Sequence, residues 1–471
     1  MIKSATSGRD QSFRDSIATV NKEGKRNWIY AQRPKGRFYN ARTIISLFYL
    51  LLFFSLPFLR VNGDPFFLFN ILERRFILFG VTFWPQDFFI FGIGMLVFIL
   101  FIVLFTVVFG RFFCGWACPQ TVFMEMVFRK IEYLVEGDAS HQRKLDQMPF
   151  NQEKIFKRGT KHLIFFMMAF IIANTFLAYI IGTEDLFRII SEPLTQHVGG
   201  FISLIVFTII FYAVYAWFRE QVCLIVCPYG RLQGVMTDKN TILVMYDYLR
   251  GEPRGKFKKK QIADKGDCID CMQCVKVCPT GIDIRNGIQL ECTNCTACMD
   301  ACDFMMDKVG SQKGLIRYAS ENGIAQKEKL KITPRIIAYS CVLVALIGFL
   351  VVLLATRKDI DTTILRTPGM LYQKQENNMI SNLYNIRLIN KTRKNIPVTL
   401  KLKSNQGSIK MIGKNLVLQK ESKTESEFFI FFPTEFIKDR KTILFVDVFS
   451  GDKKLQTVKT TFLGPITLKK Q

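Results

Sequence analysis

Five stretches of this chain are apolar and contain no aspartate, glutamate, lysine or arginine: residues 44–59, 88–109, 163–181, 198–217 and 336–355. A bilayer core needs about 20 such residues as helix. One charged residue at mid-bilayer costs about 2.5–3.5 kcal/mol on insertion scales. With no water to satisfy the backbone there, each stretch must form a helix. The first is the shortest and carries Pro57, which blurs its end. A composition of 49% hydrophobic residues with 45 phenylalanines fits a membrane protein better than one large soluble core.

Charge between the stretches gives an orientation. Lys25, Arg26, Arg33, Lys35 and Arg37 precede the first, and Arg129, Lys130, Arg143, Lys144, Lys157 and Arg158 follow the second. Little beyond Arg74 and Arg75 follows the first, and only Arg188 follows the third. The positive-inside rule then predicts a cytoplasmic N-terminus, a cytoplasmic region 218–335 and an external tail after 356. No cleavable leader is expected, because the first 40 or so residues are polar and basic. The net charge of +25 is spread over loops and makes no aromatic-interleaved basic face, so no nucleic acid partner is expected. The lipid bilayer is the first partner.

The tail alternates with period two. Tyr384, Ile386 and Leu388 alternate with Asn385 and Arg387, and Val398, Leu400 and Leu402 with Thr399, Lys401 and Lys403. Turn signals occur at 404–407 and 450–452. About seven short strands predict an all-β immunoglobulin-like sandwich, with a binding role and no site of its own.

Twelve of the 13 cysteines are clustered between Cys114 and Cys302. Clustered thiols and a cysteine-free outer domain fit metal binding on the reducing side rather than a disulfide framework. Cys341, alone in an apolar run, reads as a small buried hydrophobe. The strongest pattern is Cys268-x2-Cys271-x2-Cys274-x3-Cys278-Pro279 followed by Cys292-x2-Cys295-x2-Cys298-x3-Cys302, the bacterial two-cluster ferredoxin spacing. Three close thiolates serve one cubane and the fourth of each run reaches the other. Cys268, Cys271, Cys274 and Cys302 are therefore predicted to hold one [4Fe–4S] cluster, and Cys292, Cys295, Cys298 and Cys278 the second. A pair of zinc sites is the plainer alternative, but eight cysteines in this double spacing, with Pro279, favour iron–sulfur.

A second pattern occurs twice. Cys114-x3-Cys118-Pro119 follows the second apolar stretch and Cys223-x3-Cys227-Pro228 the fourth, as in a duplicated hairpin. Residues i and i+4 share a helix face, and each proline sets the preceding cysteine at a helix end. Such thiols suit Cu(I), zinc, a further cluster or a dithiol couple, and packing between helices is the alternative without chemistry. Met124, Met126, Met167 and Met168 read as gap-fillers rather than copper thioethers. His141, His162 and His197 sit in no haem-attachment motif. The chain has no P-loop and no G-x-G-x-x-G. Electrons must come from a donor that the sequence leaves unknown: a partner protein, quinol or a small reductant.

Residues 110–125 around the first pair, 220–234 around the second, Asp247-Tyr248 with 251–255, and the segment opening at Gly266 together resemble the CcoG/FixG/RdxA cytochrome c oxidase accessory proteins. The resemblance covers nearly the whole chain and departs from the family at no cysteine of these motifs. It implies a multi-domain bacterial inner-membrane protein. Its plan is a basic cytoplasmic tail (1–41), four transmembrane helices in two hairpins (42–217) and a cytoplasmic region (218–335) with an inserted ferredoxin-like segment (259–310). A fifth transmembrane helix (336–355) and a periplasmic immunoglobulin-like domain (356–471) complete it. It also implies a role in making cbb(3)-type cytochrome c oxidase, by reduction of Cu(II) to Cu(I), with oxidase subunits or copper-delivery proteins as partners. The same cysteine pairs recur in membrane ferredoxin subunits that feed periplasmic reductases, so a quinol-linked electron conduit stands as a second expectation and a non-catalytic assembly scaffold as a third. A homo-oligomer is compatible with the sequence.

Overall fold

The computed structural model describes residues 18–465 except 22, 62, 72–74, 84–86, 194, 257–265, 328–331, 358, 376–377, 393, 405, 414–415, 421 and 438. The start of the basic tail, Arg74, the beginning of segment 259–310, the turn residue Asn405 and the last residues of the C-terminal domain lie outside the described residues. Packing divides the chain into two units, 1–81 with 87–350, and 82–86 with 351–471.

Five described helices have the length and apolarity to cross a bilayer: Arg37–Phe58, Phe88–Phe109, Gln152–Ile181, Val198–Phe218 and Pro334–Ala355. Their regular α-helical parts are α1 (Arg37–Ser55), α2 (Phe88–Phe109), α3 (Gln152–Ile181), α4 (Val198–Ala213) and, after a helix introduced below, α6 (Pro334–Ala355). Pro57 sits in a 3-10 turn that closes α1.

Two helices begin well before their apolar stretches. α1 starts at Arg37 and buries Arg42, whose guanidinium is bonded to backbone carbonyls. The amides of Phe38 and Tyr39 in its first turn donate to the Asp300 carboxylate at 3.2 and 2.8 Å, so a distant residue caps the helix. α3 is 30 residues long, about 45 Å, against a hydrocarbon core of about 30 Å. Its first turns project from the apolar stretch and carry Arg158 and Lys161.

Those charges are paired. Lys161 lies 2.9 Å from Glu136, and Arg158 is 3.4 Å from Glu136 and 2.7 Å from Asp146. Arg219 makes a two-pronged contact with Glu132 at 3.0 and 2.7 Å. Arg129, 3% exposed, lies between Glu125 and Glu220 at 3.3 and 3.7 Å. Beneath them Phe123, Met124, Phe128, Phe165, Ile172 and Tyr215 form one apolar core, with Phe128 stacked on Tyr215 at 4.5 Å. Met124 and Met126 are buried here as packing side chains.

Cys341 departs from expectation: it is exposed, not buried. Its neighbours on α6, Val342, Val344 and Ile347, are exposed as well. A helix that offers apolar side chains all round suits lipid rather than a protein core.

Among the described residues the second unit has, besides a two-stranded sheet that pairs 396–397 with 417–418, two larger antiparallel sheets. Numbering strands after the pair β1 and β2 described below, β3 (Ile360–Arg366), β4 (Met379–Asn390), β6 (Ser408–Ile412) and β7 (Lys423–Pro433) form one in the order β6-β7-β4-β3. A short strand at 373–375 also pairs with β4. β5 (Thr399–Leu402), β8 (Lys441–Ser450) and β9 (Lys453–Leu463) form the other, in the order β5-β8-β9. The alternation is realised: Tyr384, Ile386 and Leu388 are at most 1% exposed, while Asn385 and Arg387 face outward. They meet Phe428, Ile430, Val446, Val448 and Phe462 in the core. Gly451, at φ +58°, turns β8 into β9 as the 450–452 signal predicts.

Candidate iron–sulfur and thiol centre

The two ferredoxin runs fold alike. Asp270 and Met272, flanking Cys271, have φ of +52° and +59°, and Asn294 and Thr296, flanking Cys295, have +55° and +63°. Four non-glycine residues in the left-handed region, one of them β-branched, are uncommon and mark strained functional backbone. Such winding turns successive amides inward, the arrangement found around Fe–S centres. Each loop then enters a helix, Gln273–Lys276 carrying Cys274, and α5 (Ala297–Val309) carrying Cys298 and Cys302.

Two cavities result. Cys268, Cys271, Cys274 and Cys302 line one, with Tyr246, Met306, Leu315 and Ile316. Cys278, Cys292, Cys295 and Cys298 line the other, with Cys274 at its edge and Val244, Ile282 and Ile284 around it. The eight cysteines line these two cavities, Cys274 both of them. Among the described residues no three histidine, cysteine, aspartate or glutamate side chains converge on one ion. Thiolates that each bind a different iron of a cubane need not converge. The cavities and their donors fit two [4Fe–4S] clusters.

Burial pushes the thiols of Cys274, Cys292 and Cys302 up to about 12, with neighbouring thiols adding to the shift. A metal must therefore displace protons here. The cover is a two-stranded sheet missed by the sequence reading, β1 (Leu243–Tyr246) paired with β2 (Ile316–Ala319). Val244, Tyr246 and Ile316 are 2–4% exposed. A dry shell of this kind is one of the levers on cluster potential.

The four remaining thiols have a shared local geometry. Cys118 and Cys227 are both extended and both precede a helix with proline in its first turn. Each amide reaches five residues back, Cys118 to Phe113 at 2.9 Å and Cys227 to Val222 at 2.8 Å. Four residues before each first cysteine the chain makes the same turn, Gly110 at φ 53°, ψ −124° and Arg219 at φ 51°, ψ −125°. The duplication read from the sequence is therefore a duplication of backbone. It brings the pairs together: the thiol of Cys223 is raised to about 12 by burial and then by Cys118, Cys114 and Cys227. Cys114 is raised to about 11 by burial, partly opposed by Gln233, whose amide donates to its sulfur at 3.2 Å. Gln233 is 0% exposed.

The sequence reading also missed Arg42 and Arg111. Arg42 donates to the carbonyls of Gly115 and Cys295 at 3.0 and 2.9 Å. Arg111 donates to the carbonyls of Leu290 and Gly230. Beside them a cavity of about 610 Å³ is lined by Cys223, Ile225, Leu243, Leu290 and Glu291, among others. The histidines make ordinary polar contacts, His162 with Tyr212 at 2.9 Å and His197 with Glu192 at 2.5 Å.

Comparison with known proteins agrees with this layout. Residues 218–321 match the family profile described as a 4Fe-4S dicluster domain, and 91–135 one described as a 4Fe-4S binding domain. Residues 350–465 match the immunoglobulin-like fold at the C-terminal of FixG. The nitrogen fixation protein FixG of Rhizobium meliloti is 38% identical over 63% of this chain and 58% of its own length. Protein RdxA of Cereibacter sphaeroides is 34% identical over 77% of this chain and 79% of its own. Protein RdxB of the same organism is 36% identical over 78% and 80%. Among solved structures, a FixG-related protein from Vibrio parahaemolyticus aligns over 23% of this chain and 97% of its own, at 14% identity and a TM-score of 0.20.

Proposed function

Because this chain belongs to the FixG/RdxA family, an iron–sulfur electron-transfer role is its premise, and we propose that it assists biogenesis of cbb(3)-type cytochrome c oxidase by reducing Cu(II) to Cu(I). The observation that supports this reading is the pair of cysteine-lined cavities with the first C-x3-C-P motif packed against the loop of one of them. Bound cubanes supply one-electron transfer. Cys114, Cys118, Cys223 and Cys227 are the proposed copper site, since soft thiolates favour Cu(I). Each tenfold preference for Cu(I) makes the one-electron reduction easier by about 59 mV. One electron is needed per Cu(II), supplied by an electron-carrier protein or a quinol. We assign the N-terminus and both cysteine systems to the cytoplasmic side and the sandwich to the periplasm, with oxidase subunits or copper-delivery proteins receiving Cu(I).

The test is anaerobic protein reduced with dithionite, freed of excess reductant and titrated with Cu(II). Stoichiometric recovery of the oxidised cluster spectrum, with Cu(I) trapped by a chromogenic chelator, is expected. Full function in cells with clusters that cannot change redox state would instead support a scaffold. One observation favours a quinol-linked conduit as a second reading: the 610 Å³ cavity beside Cys223 and Glu291 has the size and mixed lining of a small-molecule site. Oxidation of a soluble quinol that is abolished by filling this cavity with Gly234→Phe would favour it.

A further inference from the structure

The ferredoxin segment meets the C-x3-C-P pairs along residues 288–295, with Arg111 and Gly234 against Leu290 and Gly115 against the next turn of chain. At Gly115, between Cys114 and Cys118, an added Cβ would lie 2.5 Å from the Thr293 carbonyl oxygen and 2.8 Å from that of Asn294. Real side chains essentially never come so close, so only glycine allows this approach. Arg42 ties both sides together, bonding the carbonyls of Gly115 and Cys295 at 3.0 and 2.9 Å. The indole of Trp116 donates to the Tyr318 hydroxyl at 3.1 Å, and that hydroxyl to the Asn294 carbonyl at 3.4 Å. The Gly115 and Arg42 contacts fall on the loop that bears Cys292, Cys295 and Cys298, and Trp116 reaches that loop through Tyr318 of β2. A small cavity between the pair motifs and this loop is lined by Arg111, Gln233 and Gly234 together with Cys292 and Asn294, whereas the cavity lined by Cys268, Cys271, Cys274 and Cys302 borders no residue of either pair motif.

We infer that electrons pass between the ferredoxin segment and the four thiols through the stretch 288–298, on the side of Cys292, Cys295 and Cys298, and that Gly115 is the positioning residue that sets this contact, with Arg42 as its clamp. The inference rests on the proposal that the four thiols form the acceptor site. It adds an order: the centre held by Cys278, Cys292, Cys295 and Cys298 is proximal, and the other is distal.

The test reads potentials as well as rates. Thr280 contacts the Cys278 sulfur at 3.4 Å, so Thr280→Val identifies which of the two midpoint potentials belongs to the proximal centre. Loading the thiols of the full-length protein with Zn(II), a redox-inert cation, should shift that same potential and leave the other nearly unmoved. The shift should vanish when Cys114, Cys118, Cys223 and Cys227 are all serine. Gly115→Ala should keep full iron content, shrink the shift and slow oxidation of pre-reduced protein by Cu(II) about tenfold or more, the scale of loss when reacting groups are displaced by about an ångström. Should Gly115→Ala not fold, Arg42→Lys, which keeps the charge but loses the fork that spans both carbonyls, should do the same to a smaller degree. A shift in the other potential, in both equally or in neither would overturn the inference. Wild-type clusters that Cu(II) cannot oxidise would overturn the copper reading instead, and the Zn(II) shift would still report the contact.

Discussion

The two cysteine systems of this protein are built on opposite plans. The ferredoxin segment forms two small cavities lined by cysteines, Cys274 bordering both, with buried apolar side chains such as Val244, Ile284, Met306 and Leu315 in their walls. At the C-x3-C-P pairs, Cys114 has the buried amide of Gln233 against its sulfur, and the 610 Å³ cavity beside Cys223 is open and carries charged residues. The first arrangement suits a resident group that is part of the fold. The second suits cargo that arrives and leaves.

The sharpest way to break that contrast is to remove a ferredoxin ligand. Cys274 borders both cavities. Cys274→Ser should reduce iron from about eight per chain to about four or fewer. It should also leave segment 266–327 open to proteolysis, since metal binding is folding free energy in such sites. Retention of all iron would mean that the second region, not the first, holds part of it.

Next in size is Glu132→Gln. Burial alone would raise this carboxyl, but Arg219, Lys161 and Arg129 hold it below the usual range, so it stays ionised. Its partner Arg219 makes the left-handed turn before Cys223. Removing the bidentate carboxylate leaves that guanidinium, among the described residues, only the carboxylate of Glu220, at 3.7 Å, and should cost about 3 kcal/mol. Thermal unfolding should move down while iron content at low temperature is unchanged. Loss of iron first would show that the two regions are not supported separately.

Reading the sequence reached some of these features and not others, for identifiable reasons. The ferredoxin cysteine spacing and the alternation at Tyr384, Ile386 and Leu388 are local patterns with a fixed period. Arg129 and Arg158 were legible as basic residues, but not as buried or partly buried ion-pair partners, because Glu220, Glu136 and Asp146 come to them from other segments. The β1–β2 pair joins residues about seventy apart, and nothing in Leu243–Tyr246 alone names Ile316–Ala319 as its partner. Gly115 was visible inside a motif, yet its reason is the Thr293 carbonyl far along the chain. Cys341 misled because an apolar run looks the same whether protein or lipid surrounds it.

Replacing Cys114, Cys118, Cys223 and Cys227 together by serine tests the second plan directly. Both clusters should survive. Cu(I) affinity should fall on the order of a hundredfold, about 2.7 kcal/mol, measured by competition with a Cu(I) chelator. Unchanged affinity would return these cysteines to a packing role.

The smallest effect, and the finest test, is Gln233→Leu. The Gln233 amide donates to the Cys114 sulfur, and a bond to the sulfur favours its ionised form. Burial has already raised this thiol to about 11. Without the amide its ionisation should move higher still. Copper must displace the proton, so at a fixed pH below that range each further unit costs up to about tenfold in affinity. The sign follows: wild type and variant should differ most at neutral pH and converge as pH rises toward and past 11, where both thiols are ionised. Competition titrations of Cu(I) at several pH values would measure this. A difference that stays constant with pH would mean that the amide shapes the pocket rather than the charge on the sulfur.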